Sequence, residues 1–338
     1  MRSSKRSLFL NHEEGMMGYR NLTDTEITLL QTQGCYSDSW KTVYVKDPFY
    51  FSRIRNCSFY GTVKIGILGD ESGDTPFPCG LYHSDITDCV LGDRVFVSHV
   101  SRLRAYDIDD RVTIEHVGSM SVDGETAFGN GTEINVLNEG GGRTLPIYEH
   151  LTSQIAYLLV VYRHRPLLIE RITSMIRNEV RSRTSSRGKV GKNAVIVNCQ
   201  TLRNLCIGSN ANIEGALCLE EGTIASDEEA PTRIGHGVYA KHFIVQTGSS
   251  IDQSAILTHV FVGQAVKIGK QYSAEHSAFF ANCEGFHGEA CSIFAGPYTV
   301  THHKSSLLIA GLFSFFNAGS GTNQSNHMYK LGPNHQGI

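Results

Sequence analysis

Between residues 238 and 286 apolar side chains recur at every sixth position. The series Val238, Ile244, Ser250, Ile256, Val262, Ile268, Ala274, Phe280 and Phe286 is apolar at eight of nine places, where an apolar content of 41% predicts about four. Residues four places further on are mostly small, among them Gly248, Ser254, Ala278 and Ala290. The clearest units are Val262-Gly263-Gln264-Ala265-Val266-Lys267 and Ile268-Gly269-Lys270-Gln271-Tyr272-Ser273. Large aliphatic, Gly, two variable, small, variable is the hexapeptide pattern of a β-helix. Three short strands per turn predict that each face recurs about every 18 residues, the aliphatic side chain pointing inward. Glycine takes corner angles that a Cβ resists.

The same period appears upstream. Ile207, Ile213 and Leu219 step by six, with Asn198, Asn204 and Asn210 at a matching corner position, where Asn accepts left-handed angles. Leu91, Val97 and Leu103 also step by six, after which the register slips by one and resumes at Ile108 and Ile114. The pattern therefore predicts an all-β solenoid in two parts, residues 51–146 and 188–300.

Other segments break the period. Leu151, Ile155, Leu158, Leu159 and Tyr162, then Leu168, Ile172, Met175 and Ile176, follow helical spacing. Pro166 lies between the two sets, at a first-turn position a helix accepts. Residues 147–187 are thus read as an inserted helical hairpin. Its end is basic (Arg177, Arg181, Arg183, Arg187, Lys189), which complements the negative pole of a helix; a solvated helix end is the plainer reading, an anion site the alternative. Ser226-Asp227-Glu228-Glu229-Ala230-Pro231-Thr232 reads as an acidic protruding loop. In residues 19–50 a short N-terminal helix opens with Thr23 and Glu26 as a capping box and closes at Gly34. Residues 1–18 read as a disordered leader, with Met16 or Met17 an alternative start, and residues 301–338 as a C-terminal loop segment.

Composition narrows the classes. The 338 residues carry 34 Gly and only 8 Pro, in keeping with many tight corners. A net charge of −3 argues against a strongly basic nucleic-acid binder. No apolar run reaches the roughly 18 residues a spanning helix needs. The apolar stretch after the basic N-terminus stops at Asn11-His12-Glu13-Glu14, which argues against a secretion signal. Nine Cys without a Cys-x-x-Cys pair read as reduced thiols of a cytoplasmic protein.

Candidate chemistry gathers where the period ends. His287, His302 and His303 stand with Glu284, Glu289 and Lys304. One imidazole near neutral pKa can serve as general base, a carboxylate can orient it, and Lys304 can hold a phosphate or developing oxyanion. The alternative is a polar solvated face. A metal site from His287, Glu289, His302 and His303 matches no ligand spacing and is not assigned. The amide-rich run Asn323, Gln324, Asn326 and His327 is a candidate for hydrogen bonding to a sugar or nucleotide, with an ordered polar loop as the equal alternative. His259 and His276 read as surface residues. The glycine-rich segments at 128–133 and 139–143 fit no phosphate-binding loop, since neither carries Gly-Lys-Ser/Thr.

The segments Phe286-His287-Gly288-Glu289-Ala290-Cys291-Ser292-Ile293-Phe294-Ala295-Gly296-Pro297-Tyr298-Thr299, Asn317-Ala318-Gly319-Ser320-Gly321-Thr322-Asn323 and Tyr19-Arg20-Asn21-Leu22-Thr23 resemble a bacterial family catalogued as domain of unknown function 4954. The resemblance runs from about Tyr19 to the last residue and implies a longer chain continuing past Ile338. It further implies kinship with the hexapeptide-repeat transferases: a left-handed parallel β-helix, usually trimeric, with sites in grooves between copies. The implied function is acyl or nucleotidyl transfer to or from a small metabolite such as a sugar, with a His general base and with acyl-CoA or a nucleotide sugar as the candidate cofactor. That step rests on fold analogy. The alternative is a non-catalytic binding or scaffold protein. Neither a nucleic-acid nor a membrane partner is expected, and Phe279 and Phe294 are expected to be exposed and covered by further copies of the chain.

Overall fold

A computed structural model describes residues 18–69 and 79–325. The expected leader, Gly18 apart, and the candidate residues Asn326 and His327 lie outside the described residues. The chain is mostly β. Among the described residues one sheet has 21 strands, a second has 12, and Glu133–Asn135 pairs antiparallel with Thr144–Pro146. Within the two large sheets nearly every pairing is parallel, joining each strand to those one layer before and after, an arrangement compatible with a β-helix or solenoid. A single apolar core runs between these sheets, from Leu30 to Phe313.

The layer is 17 residues long in most of the stack, rather than 18. Thr201 pairs with Cys218, Tyr239 with Ile256 and Ile256 with Ser273. The buried inward positions explain the difference. Leu91, Val97, Leu103, Ile108, Ile114 and Met120 are all in the core, as are Val190, Ile196, Leu202, Ile207, Ile213, Leu219 and Ile224. So are Ala240, Val245, Ile251, Leu257, Val262, Ile268, Ala274 and Phe279. Their spacing is six, six, five. The one-residue slip in the sequence pattern is therefore the short side of each layer. Stepping strictly by six drifts out of register: Ile256 is 50% exposed, and Ile244 and Phe280 point to the outside of the stack.

The short side bends at one residue. Asn204, Glu221, His242, His259 and His276 each sit two places after an inward residue with φ between +47° and +55°. Strands such as Tyr239–Val245 turn there, and the ladder to the next strand skips that residue. The acidic loop lengthens one layer, so that Cys218 pairs with Tyr239 across a 21-residue step.

The stack breaks after Met120 and resumes at Val190, on the same short side. In between, residues 123–139 run as a strap across successive layers at the bent corner. The Asp123 amide donates to Asn204 Oδ1 at 2.8 Å, Thr126 Oγ1 to Glu221 at 2.7 Å, and Asn130 Nδ2 to Thr223 at 3.0 Å. Further along, the Leu137 amide donates to the Ser292 carbonyl at 2.7 Å. Gly129 is needed where it lies, at φ +80°, because a Cβ there would fall 2.5 Å from the Phe243 carbonyl oxygen.

Among the described residues three α-helices join the sheets. Helix α1 (Asp24–Thr32) carries both halves of the Thr23–Glu26 capping box. Helices α2 (Ser153–Val161) and α3 (Pro166–Arg183) flank Arg163 and Arg165, with Pro166 opening α3. With the small hairpin they form a second core, in which Ile134, Leu145, Leu159 and Ile176 cover Ile244, Phe261, Ala278, Phe280 and Phe294 on the outside of the stack. The apolar outer face is thus buried by the chain itself. Phe294 is 3% exposed beneath this cover, and Phe279 is inside the stack, so neither is the exposed contact residue the sequence suggested. Among the described residues no helix is long and apolar enough to cross a membrane.

Candidate functional site

Of the residues singled out at the end of the hexapeptide pattern, two meet. Strand Glu284–Phe286 belongs to the 12-stranded sheet and pairs with Thr299–Thr301, which places the side chain of His302 beside that of Glu284. His302 Nε2 lies 2.7 Å from Glu284 Oε2. Lys267, directly opposite Glu284 on the preceding strand, donates from Nζ to Oε1 at 3.2 Å. His302 first, then Lys267, holds the Glu284 carboxyl below the usual carboxylate range, against the opposing effect of burial. The Phe286 ring stands 5.4 Å from the imidazole and carries the ammonium of Lys270 on it at 5.1 Å. The pair is open to solvent, with His302 47% and Glu284 28% exposed.

The other candidates do not join it. His287 is a corner residue at φ +61°, partly exposed. Glu289 is exposed at the start of Glu289–Cys291, in the 21-stranded sheet. His303 and Lys304 are exposed in the following turn. Asn323 and Gln324 lie on Asn323–Ser325, paired with Leu307–Ile309. Among the described residues no three His, Cys, Asp or Glu side chains gather as metal ligands. All nine thiols are free, six of them buried. Burial pushes Cys57 up to about 12 and Cys283 to about 11, which leaves little thiolate at neutral pH.

Two further arrangements come from elements distant in sequence. The first is a column of imidazoles: His242, His259 and His276 stack with ring centroids 4.7 Å apart at each step. The strap closes one end, the Asn135 amide donating to His276 Nδ1 at 3.4 Å. His259 Nδ1 is buried without a hydrogen-bond partner, and burial, then the neighbouring imidazoles, lowers the pKa of His259. A second column, His83, His99 and His116, stacks at 4.8 Å on another corner. These residues are spaced by the layer repeat and occupy successive corners at φ between +47° and +55°.

The second arrangement is a cleft of about 430 Å³ between α3 and the small hairpin, lined by Arg163, Arg177, Arg181, Glu133, Thr144 and Thr173 over a floor that includes Ile176 and Val180. Of the basic residues expected to crowd this helix end, Arg183 and Arg187 are committed within the fold: Arg183 pairs with Glu149 and Glu179, and Arg187 with Asp107 at 2.6 Å.

The profile of a family described as Domain of unknown function (DUF4954) matches residues 19–338. The chain belongs to this family. An uncharacterised protein of Treponema pallidum (strain Nichols) is 29% identical to this DUF4954 chain over 336 residues, covering 94% of this chain and 46% of that relative. The chain thus spans about half the length of the curated relative it matches. The matched region of the DUF4954 chain holds the parallel stack, the strap, the helical insertion and the Glu284–His302 pair.

The imidazole columns of the DUF4954 chain had a signal in the sequence, because His242, His259 and His276 are 17 residues apart. That spacing is readable only once the layer length is known. The arginine cleft had none beyond its local basicity, since its hairpin wall lies some thirty to forty residues upstream of α3.

Proposed function

We propose that this chain is a left-handed β-helix of hexapeptide type that transfers an acyl or nucleotidyl group to a small hydroxylated metabolite such as a sugar, with His302 as general base. The single observation supporting this is the 2.7 Å contact between His302 and Glu284, itself held by Lys267. With the imidazole proton on Nε2 donated to the carboxylate, Nδ1 is left as the basic nitrogen. In acyl transfer Nδ1 takes the hydroxyl proton of the acceptor as its oxygen attacks the donor thioester carbonyl. Collapse of the tetrahedral adduct breaks the carbon–sulfur bond, and the departing thiolate takes the proton back from the imidazolium. Glu284 orients the ring and offsets its transient charge. The openness of the pair is in keeping with a site completed by a neighbouring copy, so a cytoplasmic homotrimer is part of this reading.

The test begins with thermal stabilisation of the full chain by acetyl-CoA, UDP and UDP-N-acetylglucosamine, followed by transfer assays on the stabilising donor. His302→Ala should reduce turnover by about 10²-fold or more, the usual contribution of a general base. Glu284→Gln should reduce it less. Full turnover in His302→Ala, or no stabilisation by any of these donors, would overturn the assignment. A second reading, a non-catalytic binding protein, is favoured by the arginine-lined cleft, which is a more enclosed feature than the exposed Glu284–His302 pair. It predicts ligand binding without turnover.

A further inference from the structure

We infer that the cleft between α3 and the Glu133–Asn135/Thr144–Pro146 hairpin binds a small phosphorylated metabolite that carries free hydroxyls, such as a sugar phosphate or a nucleotide. This stands apart from the transferase reading and involves none of its residues.

Charge is the first ground. Residues 147–187 hold seven arginines against three glutamates, a local excess of +4 in a chain whose net charge is −3. The excess is directed rather than spread. Arg177 and Arg181 are one helical turn apart on α3, and Arg163 reaches the same cleft from the α2–α3 connection. None of the three has a carboxylate partner among the described residues, whereas Arg183, on the same helix, bridges Glu149 and Glu179. Three guanidinium groups around one space match the oxygens of a phosphoryl group, which they can bind through paired N–H donors.

Shape and the remaining polar groups narrow the ligand. A volume of about 430 Å³ suits a small molecule and not a folded partner. A neighbouring hollow along α3 shares Arg163, Thr173 and Arg177 with the cleft and adds Pro166, Ile169 and the carboxylate of Glu170. Glu133 on the hairpin wall would repel a second phosphoryl group but accept a hydrogen bond from a hydroxyl. Thr144 and Thr173 add hydroxyls at the same surface, over the apolar floor of Ile176 and Val180. One phosphoryl end and one hydroxylated end therefore fit, in that orientation.

The test is titration calorimetry on the full chain with glucose 6-phosphate, UMP and inorganic phosphate. Binding of glucose 6-phosphate or UMP should weaken by about tenfold or more in Arg177→Gln/Arg181→Gln, given the strength of charge-assisted hydrogen bonds. It should be unchanged in Arg165→Gln/Arg171→Gln, which removes the same charge outside the cleft. Glu133→Gln should weaken the hydroxylated ligand while leaving inorganic phosphate unaffected. Circular dichroism reports whether each variant keeps its fold. Equal weakening in both double variants would overturn the proposal, as would no binding of either organic phosphate. So would tighter binding to duplex DNA or to phosphatidylserine vesicles lost equally in both, which marks a general basic surface.

Discussion

Replacing Phe261 with Ala tests whether the helical insertion is held to the stack by the outer apolar face. Phe261 is fully buried, in the cluster that joins α2, α3 and the hairpin to Ile244, Ala278 and Phe294. Its ring stands 5.4 Å from that of Phe280, which stands 4.8 Å from Phe294, so truncation removes one end of an aromatic row. Phe-to-Ala changes in such settings cost about 3–5 kcal/mol. Because the lost contacts lie between insertion and stack, the loss should fall on docking of the insertion, leaving the inner core of the stack largely in place. At 1.4 kcal/mol per tenfold, 3 kcal/mol raises local opening by about 10²-fold. Hydrogen exchange of the amides of Leu159, Val160, Ile172 and Ile176 reads this directly. They should exchange about 10²-fold faster in Phe261→Ala, while amides of Val97 and Ile114, deep in the other end of the stack, should change little. Protection of the helix amides within about threefold of the parent would refute the argument, since a loss of that size cannot be hidden by an interface built on this cluster.

Three further outcomes follow from charge and titration. The Arg20 guanidinium holds the Glu26 carboxyl down to about 2, so the bond stabilises the fold above the ordinary carboxylate value of 4.5 and is lost as pH falls toward 2; Arg20→Met should remove that part of the acid dependence in urea melts. His259 has its pKa lowered by burial and then by His242 and His276, so the unfolded chain takes up its proton first as pH falls. Stability tied to it is complete above about 6.5 and declines below, and a His259→Gln variant should show a flatter melting temperature between pH 7 and 5. For Glu284, His302→Ala should return its carboxyl toward the ordinary range in a side-chain NMR titration; an unchanged midpoint would mean that Lys267 alone holds it. As a surface pair it should contribute less than about 1 kcal/mol to stability.

Much of the architecture was legible along the chain because it is local. Inward residues in a parallel stack recur at a short interval, so Val262 and Ile268, or Leu91 and Val97, announce their own direction. Helical spacing marked α2 and α3, and Thr23 with Glu26 marked the start of α1, for the same reason. Among the candidate residues, the local cue brought out Glu284 and His302 together with neighbours, such as Glu289 and Lys304, that the fold then separates.

What the tertiary structure alone decided is how distant segments meet. A five-residue side and a six-residue side look alike over one unit, and they differ only when layers are stacked and the corner takes φ near +50°, as at His242 and His276. That single missing residue per layer turns Ile256 outward and brings His242, His259 and His276 into one column. The strap at 123–139, the burial of Phe294 and the grouping of Arg163 with Arg177, Arg181 and Glu133 depend on contacts between residues up to some 150 positions apart. Sequence by itself determined a repeating, mostly β chain with a helical interruption, because side-chain direction along a strand or helix is set by neighbours. Which polar groups face each other was set by the layer length and by the docking of the insertion, both of which arise only when the whole stack packs.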